Sequence, residues 1–123
     1  MHEVIEVHAG ETIVEQGDDG SGFFVLRKGT LEVYKDDVLL SVLMYPGTVF
    51  GEMSDILGGE RTCTVRAKNA SQISHYNYET LDDLVREEPA VAVKIIKTLA
   101  SRLDRTTQKL IDTARESPLW AAR

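Results

Sequence analysis

The chain has 123 residues, 42% hydrophobic and 28% charged, with a formal net charge of −6. That is the length of one domain with enough apolar chain for a core, too apolar for a disordered segment and too acidic for a surface that neutralises phosphates. No apolar run approaches the roughly 20 residues that span a bilayer, the N-terminus is acidic, and Cys63, the single cysteine, leaves no disulfide framework or cysteine-based metal site.

These features lead to the expectation of a cytoplasmic protein, with Cys63 buried in a strand between Thr and Val neighbours. Along the chain, residues 4–78 read as short strands separated by turn residues. "VIEV" and "TIVE" flank Ala9-Gly10, "GFFVLRK" and "TLEVYKD" meet at Gly29, and "VLLSVL" follows an Asp36-Asp37 turn. Pro46-Gly47 turns the chain before "TVF", and "TCTVRA" and "QISHYN" supply the last two strands. Short strands at even spacing with glycine turns predict a β-sandwich, barrel or jelly roll.

From Glu79 the period changes to that of a helix. Leu81, Leu84 and Val85 are spaced by three and four, Thr80 is an N-cap, and acids fill the first turn. Pro89 starts a second, long helix at a position where a missing N–H costs nothing. Its apolar stripe runs Ala92, Ile96, Leu99, Leu103, Leu110 and Ala114, with Thr106 filling the gap, and ends near Ser117-Pro118. Such a stripe packs on its own barrel or on a second copy of the chain. Trp120, beyond it, reads as a tail residue. Charge is uneven: residues 1–88 hold 7 Lys/Arg against 17 Asp/Glu, and residues 89–123 hold 7 against 3. The expected organisation is one domain over 1–123, with a β-roll at 4–78 and helices at 79–116.

The stretch "FGEMSDILGGERTCTV", Phe50 to Val65, interrupts the strands. Gly51 permits close backbone approach to a ligand, residues 52–57 suit one short helical segment with amides facing an anion, and Arg61 supplies a two-pronged fork for phosphate oxygens. Gly58 and Gly59 let the chain reverse so that Arg61 returns to the turn. These residues make an anion cradle. Arg61 alone also reads as a structural ion-pair partner of Glu52.

In this order the residues resemble the cyclic nucleotide-binding domain family, found in the catabolite activator protein, kinase regulatory subunits and cyclic-nucleotide-gated channels. "AGETIVEQGDDGSGFFVLRKGTLEVYKDD" is similar to that family's first half, and "PGTVFGEMSDILGGERTCTVRA" to its phosphate-binding cassette; the match covers about residues 8–112. The resemblance implies an eight-stranded β jelly roll (a double-stranded β-helix), followed by a short helix and a long C-terminal helix. It implies a non-enzymatic sensor of cAMP or cGMP with no other cofactor. Its ligand-binding residues would be Gly51, Glu52, Met53, Ser54, Arg61 and Thr62, with Glu52 on the ribose hydroxyl. The C-terminal helix would act as lid and signal output, as a homodimer contact, and toward an unknown downstream protein. No nucleic acid or membrane partner is expected. Thr62 fits either a contact to the base or a plain strand residue, so the choice between cAMP and cGMP stays open.

Three positions depart from the family pattern. Asp55 stands where an apolar residue is usual, Ser54 where alanine is, and Glu60 where proline is. A carboxylate at 55 would repel phosphate unless it faced solvent. This motivates a second reading, a module that keeps the fold without the ligand and acts through protein contacts. The family's leading helix is reduced and no helix-turn-helix follows, so a transcription-factor role is not expected. A metal-dependent jelly-roll enzyme would need clustered histidines. His2, His8 and His75 are scattered, and no nucleophile–base set is present.

Overall fold

The computed structural model describes residues 2–116. The chain forms two compact units, Met1–Leu84 and Val85–Arg123. The first contains strands β1 (His2–Val7), β2 (Thr12–Val14), β3 (Phe23–Lys28), β4 (Leu31–Lys35), β5 (Val38–Leu43) and β6 (Val49–Phe50). Helix α1 (Glu52–Leu57) follows, then β7 (Thr64–Ala67) and β8 (Ser71–Tyr76). The strands build two antiparallel four-stranded sheets, ordered β1-β8-β3-β6 and β2-β7-β4-β5. The fold is therefore the expected mostly-β jelly roll followed by a long C-terminal helix.

Apolar side chains at alternate positions explain the packing. Val7, Phe24, Leu26, Phe50 and Ile73 from one sheet meet Val14, Leu31, Val65 and Ala67 from the other in a single buried cluster. β3 is buried on both faces: Phe23, the alternate residue, lies parallel to the Tyr76 ring at 5.1 Å. β5, at the edge of its sheet, leaves Val38, Leu39, Leu40 and Val42 exposed. Between β4 and β5 the chain turns through Asp36 and Asp37, both at positive φ. Cys63 departs from its expected place, since it lies half-buried in the bend before β7 rather than in the strand.

α2 (Leu81–Glu87) starts as its sequence predicts, with the Asp83 amide donating to Thr80 Oγ1 at 3.1 Å. In the second unit, α3 (Pro89–Glu116) takes Pro89 as its first residue. The stripe read from the sequence divides: Ala92 is buried, whereas Ile96, Leu103 and Leu110 are exposed. Trp120 and the expected helix end at Ser117-Pro118 lie outside the described residues.

Candidate functional site

The cassette begins where β6 ends. Gly51 takes φ +80 at the N-cap of α1, a conformation that suits glycine. A Cβ there would stand 2.9 Å from Arg61 Nη1. From the sequence, this glycine is expected where a ligand comes close to the backbone. In the structure its immediate neighbour is the arginine, so the missing side chain is what lets the guanidinium in. Gly58 and Gly59, at φ +73 and +121, reverse the chain after α1 as expected.

Arg61 is only 6% exposed, so its charge needs partners. Nη1 donates to the carbonyls of Gly22 at 2.9 Å and Gly51 at 3.0 Å and to Ser54 Oγ at 3.0 Å, while Nη2 donates to the Ser21 carbonyl at 2.6 Å. The guanidinium carbon also lies 5.5 Å from the centre of the Phe24 ring. Burial pulls the guanidinium below its ordinary pKa, and Asp55 and then Asp19 push it back up. It remains a cation at any physiological pH. Of its five N–H groups, Nη1 spends both of its own and Nη2 spends one, so among the described residues Nε–H and one Nη2–H have no hydrogen-bond partner.

Asp55 does not face away from this centre. Its Oδ1 accepts the Gly22 amide at 2.6 Å, tying α1 to the loop before β3. That loop has no room to spare, because a Cβ on Gly20 would stand 2.4 Å from both the Gly59 oxygen and Ser54 Cβ. Among the expected site residues, Gly51, Ser54 and Arg61 are in direct contact. Glu52 is 1% exposed, while Met53 is about half exposed and Thr62 is exposed. Sequence reasoning missed Ser21, Gly22 and Phe24. Their signal was the glycine-dense "DDGSGFF", which reads as an ordinary turn.

Two hollows flank the cassette. One, of about 740 Å³, has Lys35, Arg61 and Arg66 on its walls together with the carboxylates of Glu15, Asp36, Asp37 and Glu60, and its size is ordinary for a small-molecule site. The other, of about 360 Å³, carries Asp19, Asp55 and Glu79 on its walls, which suits an anion poorly. Carboxylates thus line both hollows, and the cations Lys35, Arg61 and Arg66 border only the larger one.

Residues 4–88 match the model of the cyclic nucleotide-binding domain. The chain belongs to the cyclic nucleotide-binding domain family. Its relatives are regulatory: it is 29% identical over 94 residues to the cAMP-dependent protein kinase regulatory subunit of Schizosaccharomyces pombe, covering 71% of this chain and 23% of that one. The crystal structure of the Thermus thermophilus catabolite activator protein superposes with a TM-score of 0.80 at 26% identity, over 92% of this chain and 55% of the activator. A PKAR CBD2 structure bound to Sp-2Cl-cAMPS has the same fold, with a TM-score of 0.65 at 21% identity over 86% of this chain and 72% of that chain. This cyclic nucleotide-binding domain thus spans about a quarter of the kinase subunit and about half of the activator. Among the described residues no helix is long and apolar enough to cross a membrane, and no group of acidic, histidine or cysteine residues is arranged to hold a metal ion.

Proposed function

We propose that this chain is a non-enzymatic sensor domain for a cyclic nucleotide, cAMP or cGMP. The observation that carries the reading is the near-complete burial of Arg61 inside a cassette built around it, with two N–H groups left over. A phosphate would take those two donors and the amides of residues 52–54. Glu52 would accept from the ribose hydroxyl, and Gly51, Met53 and Thr62 would complete the wall. Binding would shift a two-state equilibrium that α3, as lid and output element, passes to a downstream protein. The whole of 1–123 would work as one domain, and its unpaired cysteine suits the reducing cytoplasm.

Calorimetric titration with both nucleotides tests the ligand. Wild type should bind at least one, and Arg61→Ala should weaken it about a hundredfold, the equivalent of one or two charge-assisted hydrogen bonds. Arg61→Lys keeps the charge but loses the fork, and should fall between them. Negligible heat from wild type would overturn the reading.

A second reading has its own support. Three carbonyls and a hydroxyl already satisfy most of Arg61, which is what a purely structural arginine requires. In that case the domain acts through protein contacts alone, with the exposed seven-residue spacing of Ile96, Leu103 and Leu110 as the contact between two copies.

A further inference from the structure

Gly22 is held at both of its polar groups. Its amide donates to Asp55 Oδ1 at 2.6 Å, and its carbonyl accepts Arg61 Nη1 at 2.9 Å. Ser54 holds the same guanidinium nitrogen from α1, accepting from Nη1 at 3.0 Å and donating to the Gly51 carbonyl at 3.3 Å. α1 is therefore latched to the Gly20–Gly22 loop with Arg61 as the pin. Ser54 and Asp55 are adjacent, and both depart from what the family pattern leads one to expect. The carboxylate thus has two separable effects. Its oxygen orders the loop that positions Arg61, and its negative charge, close to the guanidinium, offsets part of the field that an arriving anion meets.

We propose that Asp55 sets the affinity of the Arg61 site, holding the Gly20–Gly22 loop closed around the guanidinium while weakening the site's attraction for an anionic ligand, with Ser54 as the positioning residue for Nη1. The proposal rests on the reading of this site as one for a phosphate-bearing ligand. It gives the domain a raised threshold: the cradle is pre-ordered, yet a ligand must compete with a fixed internal carboxylate.

Substitution separates the two effects. Asp55→Asn keeps an oxygen that accepts the Gly22 amide and removes the charge, whereas Asp55→Ala removes both. We expect Asp55→Asn to bind cAMP and cGMP about tenfold more tightly than wild type, by the same factor for each, because the shared phosphate meets the change. Hydrogen exchange at the Gly22 amide should be as slow in Asp55→Asn as in wild type and fast in Asp55→Ala. The alanine variant should gain less affinity than the asparagine variant, because its loop is unlatched. Ser54→Ala should speed rotation of the Arg61 guanidinium, read from its nitrogen resonances, even without ligand.

Inorganic phosphate is titrated in parallel. If every protein ignores both nucleotides while phosphate still binds Asp55→Asn more tightly than wild type, the affinity-setting role stands and the nucleotide reading falls. If Asp55→Asn binds phosphate and nucleotides no more tightly than wild type, the proposal is overturned. An unchanged Gly22 exchange rate in Asp55→Ala overturns the latch as well.

Discussion

Arg61 shows how much of a buried cation's hydrogen bonding the main chain can supply. Its hydrogen-bonding partners are three main-chain oxygens and one hydroxyl, contributed by residues 7 to 40 positions away. Gly51 makes this possible twice over, by adopting φ +80 and by leaving the space that Nη1 fills. Gly51→Ala should therefore incur two costs. A non-glycine residue in the left-handed region loses about 1–2 kcal/mol, and its methyl would press on Nη1 from 2.9 Å and on Phe24 Cδ2 from 3.4 Å. Urea denaturation should register a loss of at least about 1–2 kcal/mol, the strain alone, and calorimetry a weaker nucleotide affinity as the guanidinium is displaced. Unchanged stability would mean that the turn relaxes without strain and that the glycine serves only the ligand.

At the scale of elements, the β4–β5 hairpin carries strain at its tip. Asp36 and Asp37 take φ 50 and 64 respectively, the pair of positive values typical of the tight two-residue hairpin turn. Asp36 is anchored there: Gln16 Nε2 donates to its Oδ1 at 2.9 Å, and its own amide donates to Gln16 Oε1 at 3.0 Å. Among the described residues Asp37 has no such anchor, so Asp37→Gly should stabilise the domain by about 0.5 kcal/mol, the relief of left-handed strain less glycine's entropic cost. The urea midpoint should rise; a fall would assign a stabilising contact to the Asp37 carboxylate. This hairpin also marks where the sequence was legible. Short strand-like runs bounded by turn residues placed all eight strands, the Thr80 cap placed α2, and Pro89 placed the start of α3. The Asp55–Gly22 bond, across 33 residues, and the Gln16–Asp36 clamp, across 20, follow no local pattern, so only the fold reveals them. Cys63 misled for a related reason: its β-branched neighbours suggest a strand, but the chain is still unwinding from the Gly58–Gly59 reversal.

For the whole molecule, charge gives self-association through α3 a distinctive signature. Ile96, Leu103 and Leu110 recur every seven residues on α3 and are 64%, 68% and 70% exposed. Three such side chains on one seam would suit the apolar side of a two-stranded coiled coil. Helix α3, residues 89–116, holds 6 Lys/Arg against 3 Asp/Glu, so two copies of the helix would meet with like charge. Apolar burial must then overcome repulsion that salt screens within about 10 Å at 0.1 M. Sedimentation equilibrium should accordingly find a dimer that tightens, rather than loosens, as salt rises. Leu103→Arg should leave a monomer at every salt concentration, because it places a cation in the centre of the seam. Tyr45→Arg, at a side chain 74% exposed in the turn after β5, adds the same charge away from α3 and should remain dimeric. A dimer that survives Leu103→Arg but is lost with Tyr45→Arg would move the interface from α3 to the sheet that ends in β5. The long helix would then be free to serve the ligand site alone.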